Sequence, residues 1–395
     1  MRIVLFYSEV ESFNCFTNLL AGELLTRGHK TFILDLKNPP AENPHSFAKF
    51  SAFIAEKVDA AICFDGLGTR EDIFIDIWNV YQTVVIDILM DPPLRFHPSL
   101  EKHPQNYLLF CCDLDHVEYV KKYFSQTVSH VDFMPHVGII PNKTIPDIPY
   151  REKKYDILFS GTYYRPETMF TKIEEMFGKG TDTYHFYLDV FECLVNDSSF
   201  TIEQAIIHNI ENLNVGIDQN NLKLLLGCSE SIDWAIRMYQ RDRVIKTLAD
   251  TGLELHLLGR GWENHSSAGC PNVHRIDDRI PYAETLAYMA DARINLNVFP
   301  WFKAGTHDRI FNALLQHSLP LTDPSRWITE NFTDGEDIAL YDLKHLEQLP
   351  EIAGEFLREA DRAEAMIKRG YEKVIRNFTW SHCADWILNA IHTII

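Results

Sequence analysis

The run from Asn295 to Pro324, NLNVFPWFKAGTHDRIFNALLQHSLPLTDP, gathers the residue types that hold a phosphorylated ligand. Lys303 and Arg309 both suit phosphate oxygens, the lysine as a point charge and the arginine as a planar fork. Between them Gly305 permits close backbone approach, and Thr306 is placed to cap a helix predicted from about His307 to Gln316. The first turn of a helix leaves free N–H groups and the positive end of the dipole, so this step from loop to helix suits an anion. An ordinary capped helix with two surface cations has the same letters.

The elements that would position these residues are legible on either side. Ile294, Leu296 and Val298 mark an apolar strand before the loop, and Ser318–Leu321 a second strand ending at Thr322-Asp323-Pro324. Strand, loop, helix, strand is the unit of a parallel sheet. The same alternation opens the chain, with strands predicted over 2–8, 30–36, 60–64, 83–89, 107–112 and 128–133 and helices between them. Three prolines in Ile140–Arg151, IPNKTIPDIPYR, read as a stiff linker. The expected fold class is therefore α/β, with two Rossmann-like domains at 1–145 and 151–376 and a last helix in 377–395. A helical insertion is expected over about 166–240, with packing as its main role, and one continuous helix from Glu347 to Arg376. Ligands in such sheets sit beyond the C-terminal strand ends. The polar residues there in the first domain are Glu9, Asp65, Asp91, Asp113 and His136, the pool for a catalytic base, from which Asp91 and His136 are taken. Asp113-Leu114-Asp115 is expected to cap a helix. In the second domain a strand runs into Gly161-Thr162, a turn suited to phosphate. No G-x-G-x-x-G follows the first strand, which disfavours a nicotinamide or flavin dinucleotide.

The segment GTHDRIFNALLQHSLPLTD resembles the donor-binding segment of glycosyltransferases of the two-domain GT-B architecture, nearest to the branch similar to spore-maturation CgeB-like proteins. Gly305, Arg309, Phe311, Ala313, Leu321, Thr322 and Asp323 carry the match. Asn312 stands where that family usually has Glu, and His317 where it usually has Gly. The stretch from Gly259-Arg260-Gly261-Trp262 through Asn297 resembles the same family, as does the Pro-His-x-Gly turn around His136 and the Phe378-Thr379-Trp380 break. The resemblance implies two domains facing across a cleft, a last helix in 377–395 that crosses back to the first domain, and a glycosyltransferase using a nucleoside-diphosphate sugar such as a UDP- or GDP-sugar. It implies donor contacts from Gly161, Thr162, Arg260, Lys303, Gly305, Thr306, His307, Arg309, Asn312 and Asp323, and a nucleobase near Arg275–Arg279. No other cofactor and no metal is expected, since no D-x-D motif lies in a suitable loop. The rival readings are a non-catalytic carbohydrate- or nucleotide-binding protein and a GT-B-shaped sugar-nucleotide epimerase or phosphorylase.

Bulk properties narrow the partners. The chain has 395 residues, enough for two cores, and a net charge of −19 spread along its length, which argues against nucleic acid and anionic membrane surfaces. No apolar run reaches bilayer length, and the N-terminal MRIVLFYSEVESF reads as a first strand rather than a signal peptide. Eight scattered cysteines without metal spacing fit a reduced cytoplasmic protein. The expected partners are a nucleotide sugar and a protein, glycan or lipid-linked acceptor; an oligomer is compatible with the sequence.

Overall fold

The computed structural model describes residues 1–38, 42–141, 145–276 and 280–394. Two units are separable, one of residues 1–137, 281–283 and 377–395 and one of residues 138–280 and 284–376.

The first unit alternates β1 (Arg2–Tyr7), α1 (Glu11–Thr26), β2 (Lys30–Asp35), α2 (Pro44–Ile54), β3 (Ala60–Phe64), α3 (Asp72–Tyr81), β4 (Val84–Leu89), α4 (His97–Glu101), β5 (Tyr107–Cys111), α5 (Leu114–Phe124) and β6 (Val131–Phe133). All pairings are parallel, in the order β2-β1-β3-β4-β5-β6. β3, β4 and β5 are buried at every position, as expected of central strands covered on both faces. The strand order reverses between β1 and β3, and Ser8, Glu9 and Asp65 flank that switch. Asp113 caps α5, accepting from the Asp115 N–H at 2.7 Å, as the sequence predicts.

The second unit begins with β7 (Tyr155–Ser160), followed by α6 (Glu167–Phe177), α7 (Asp182–Asn196), α8 (Ile202–Asn212), α9 (Gln219–Gly227) and α10 (Glu230–Ala249). Then come β8 (Leu255–Leu258), β9 (Val273–Ile276), α11 (Tyr282–Ala290), β10 (Ala292–Asn297), α12 (Asp308–Leu315), β11 (Leu319–Thr322), α13 (Arg326–Asn331), β12 (Ala339–Leu340), α14 (Leu349–Arg358) and α15 (Ala360–Asn377). The second sheet is also parallel, in the order β12-β11-β10-β7-β8-β9, the doubly wound order with its switch between β7 and β10. α16 (Trp380–Ile394) belongs to the first unit. Trp380 stacks obliquely at 5.0 Å on Phe16 of α1, and Arg27 of α1 binds Asp385 at 2.8 Å.

Two expectations about helices need correction. α10 is not the tail of an insertion. Its last residues, Val244, Ile245, Leu248 and Ala249, pack into the core of the second sheet, so it is the crossover helix between β7 and β8. Its 20 residues span about 30 Å, against about 20 Å for the six residues of β7. The N-terminal part of α10 therefore overhangs the C-terminal edge of the sheet. The long tail helix is broken at Glu359, which leaves helical geometry (φ −97°, ψ 61°) while its carbonyl accepts from Arg362 and Ala363 and starts α15. The break lets Phe356 on one helix and Ala360 and Ala363 on the next all reach the core.

Candidate functional site

Polar side chains meet at the C-terminal ends of β7 and β10, the two strands flanking the switch point of the second unit. After β10 the chain runs through Phe299–His307 and enters α12. The helix cap is His307, not Thr306: the Arg309 N–H points at His307 Nδ1 at 3.3 Å, while Thr306 is fully buried. The same Nδ1 lies 2.7 Å from Asp308. One nitrogen cannot donate to Asp308 and accept from Arg309 together, so the tighter carboxylate contact competes with the cap.

Arg309 lies in the first turn of α12. Its guanidinium donates to Asn297 Oδ1 at 3.2 Å, at the end of β10. Its Nη2 would sit 3.2 Å from a Cβ added at Gly161, so the missing side chain at Gly161 is what admits the guanidinium beside the β7 turn. Asn297 is itself buried, donating to Thr322 Oγ1 at 3.0 Å, and its carbonyl accepts from Tyr341 Oη at 2.9 Å. Asp323 accepts the Phe299 N–H at 2.9 Å, which folds the loop back toward β11. Burial pushes its carboxyl up to about 7, against the pull of that hydrogen bond and of Lys303.

The other expected donor residues have defined local roles. Lys303 donates to the Ser198 carbonyl between α7 and α8, which ties the loop to the helical insertion. The Gly305 carbonyl accepts from Ser325 Oγ at 2.6 Å. Asn312 is buried; its oxygen accepts the Ile139 N–H at 2.8 Å and its NH2 group faces Asp308 at 3.3 Å. A glutamate there could not donate to Asp308, which gives the Asn at this position a physical reason. The glycines of the Gly259–Trp262 turn serve the neighbouring loop. A Cβ at Gly259 or Gly261 would lie 2.4 Å from the Gly161 carbonyl oxygen or 1.9 Å from that of Tyr163. Tyr163 N–H donates to the Arg260 carbonyl at 2.9 Å and Trp262 Nε1 to the Gly161 carbonyl at 2.7 Å, while the Arg260 side chain is exposed. Of the stretch expected near a nucleobase, Arg275 lies in β9 and residues 277–279 lie outside the described residues.

Two arginines that the sequence reading passed over stand at the same place. Arg237 and Arg241 sit one turn apart near the middle of α10. Arg241 donates to the Thr162 carbonyl at 2.7 Å, and Arg237 lies 4.0 Å over the Trp301 ring. Asn297 was also missed, because a polar residue at the end of NLNV looks like strand decoration. The signal for the arginines was their i, i+4 spacing on one helix, but spacing alone does not say what the helix overhangs.

Asp91 and His136 belong to the first unit. Asp91, after β4, pairs with Arg95 at 3.0 Å; His136 is buried in the turn after β6. They sit one and three strands from β3 at the switch of that sheet. Asp65, at the switch itself, is in the left-handed region (φ 53°) and accepts the Met90 N–H at 2.8 Å; burial and the nearby Asp91 charge push its carboxyl well up. Among the described residues, no group of three or more His, Cys, Asp or Glu is arranged to hold a metal, and no helix is long and apolar enough to cross a membrane.

Residues 240–389 match a family model described as Glycosyl transferase-like. A protein of Aquifex aeolicus (strain VF5), described as uncharacterized, is 21% identical over 338 residues, spanning 82% of this chain and 78% of its own length. An alpha-glucosyltransferase solved in complex with UDP and a 13-mer DNA superimposes with a TM-score of 0.58 at 10% identity, covering 99% of this chain and all of the other (100%). Sucrose-phosphate synthase from Thermosynechococcus elongatus does so with a TM-score of 0.55 at 11% identity, covering 100% and 99%. Identities this low establish a shared fold. The protein thus has the fold of the GT-B glycosyltransferases, two parallel six-stranded sheets, and its residues 240–389 carry a glycosyl transferase-like sequence.

Proposed function

We propose that the protein transfers a glycosyl group from a nucleoside-diphosphate sugar, holding the diphosphate at the switch point of the second sheet. The carrying observation is the placement of Arg309 in the first turn of α12, between Asn297 of β10 and the Gly161 turn of β7. In the reaction the bond from the anomeric carbon to the diphosphate oxygen breaks, the acceptor oxygen bonds to that carbon, and the acceptor proton goes to a base. The negative charge that grows on the leaving diphosphate is met by the Arg309 guanidinium and the N-terminal N–H groups of α12. UDP in the similar alpha-glucosyltransferase and the resemblance of GTHDRIFNALLQHSLPLTD to the CgeB-like branch both support a nucleotide-sugar donor. Charge neutralisation is assigned to Arg309 and these N–H groups, so activity should persist in EDTA.

The test is a thermal-shift panel of nucleoside diphosphates and their sugars. A nucleotide at a hundredfold its Kd should add about 2.7 kcal/mol of stability. Stabilisation by one nucleotide series, lost in Arg309→Ala, supports the donor site and names the base; folded protein that responds to none would overturn it. Asp91 and His136 are proposed on the acceptor side. Asp91→Asn and His136→Ala should lower turnover and leave nucleotide affinity unchanged.

A further inference from the structure

α10 contributes more than packing. Arg237 and Arg241 are only 4% and 5% exposed, and burying guanidinium groups is costly unless they are used. Arg237 is neutralised by Asp233 one turn earlier, at 2.9 Å, and lies against the Trp301 ring, so it fixes that ring in place. Arg241 is directed differently. It reaches the Thr162 carbonyl, and its guanidinium is 5.4 Å from Trp301 and 5.8 Å from the Phe159 ring. The Arg309 guanidinium is 5.7 Å from the same Phe159 ring. The turn at Gly161-Thr162 is therefore touched by two guanidinium groups, one from α12 and one from α10. An anion with oxygens on both sides of that turn could bond to both guanidinium groups.

We infer that Arg241 is a second phosphate-binding residue of the donor site, with Arg237 as the positioning residue for Trp301. The ligand it fits is a diphosphate, one phosphate group for each guanidinium. Arg241 is then the contribution of α10 to the donor site. This inference rests on the donor site proposed above and assigns it a residue that the loop-to-helix motif does not contain.

The experiment is calorimetric titration of inorganic pyrophosphate, and of the nucleotide found in the thermal panel, into the full chain and its Arg241→Gln, Arg241→Lys and Arg309→Ala variants. Arg241→Gln should weaken pyrophosphate about 10- to 100-fold and flatten its dependence on salt, with partial recovery in Arg241→Lys. Melting temperatures of the free proteins separate a binding role from a structural one. If Arg241→Gln binds pyrophosphate like the wild type while Arg309→Ala does not, the inference falls and the donor site stands. If Arg241→Lys and Arg241→Gln lose binding equally and both melt early, Arg241 only supports the loop, and the inference is again overturned. If the wild type binds neither pyrophosphate nor any nucleotide, the donor site itself is wrong.

Discussion

Asp323 shows how one residue can match a motif and still owe its chemistry to burial. In the sequence it closes L-T-D at the end of a strand. In the fold it is buried, accepts the Phe299 N–H and has its carboxyl lifted to about 7. An unfolded aspartate releases its proton near pH 4. Between about 4 and 7 the folded state keeps a proton that the unfolded state has lost, so this residue's contribution to stability falls as pH rises through that window. Asp323→Asn imitates the protonated acid and can still accept from Phe299. The variant should gain on the wild type by a few kcal/mol at most at pH 8, with the gap closing toward pH 5. Urea unfolding at several pH values measures this, and a gap independent of pH would mean that Asp323 does not titrate there. His317 is a second case. It replaces the glycine of the related pattern and sits at φ 53°, just past α12. Its N–H donates to the Leu314 carbonyl and the Ser318 N–H to that of Ala313, the paired bonds of a Schellman cap. The backbone strain is offset by stacking on Tyr371 at 4.5 Å, a contact glycine could not make.

At the scale of elements, the loops after β7 and β8 form one paired structure. Gly259 and Gly261 have positive φ, and each leaves room for a carbonyl of the β7 loop. Gly261→Ala would drive a methyl into the Tyr163 carbonyl and force an unfavourable backbone angle. It should cost about 2 kcal/mol or more and reduce donor binding through the displaced Gly161 turn. Denaturant midpoints and nucleotide titration would check both effects; a stable variant with unchanged binding would show that the two loops are independent. Helix α10 makes the complementary point. Its last residues belong to the sheet core and its middle, at Arg237 and Arg241, to the candidate site.

At the scale of the whole molecule, each unit has its own sheet, and the first is assembled from chain segments far apart in sequence. α16 contributes buried Trp380, Cys383, Ala384, Ile387 and Ile391, together with the Arg27–Asp385 pair. Ending the chain after residue 376 should therefore lower the melting of the first unit and spare the second. Calorimetry should show one transition shifted down and the other retained, with nucleotide stabilisation kept by the second. A single shifted transition would mean that the two units unfold together.

The sequence by itself determined the alternation of strands and helices, because apolar runs between polar helices leave a parallel sheet as the way to bury both faces. It also determined the importance of the stretch from Asn295 to Pro324, since arginine, glycine and a helix start in one loop are readable as local chemistry. It could not decide the partners of those residues. Whether Lys303 points to a ligand or to Ser198, whether Thr306 or His307 caps α12, and whether Asn312 serves Ile139 depend on segments up to 173 residues away in the chain. Arg237 and Arg241 looked like one more amphipathic helix. Only the tertiary structure, by setting a long helix against shorter strands, brings Arg241 to the Gly161-Thr162 turn beside Arg309 and Arg237 to the Trp301 ring.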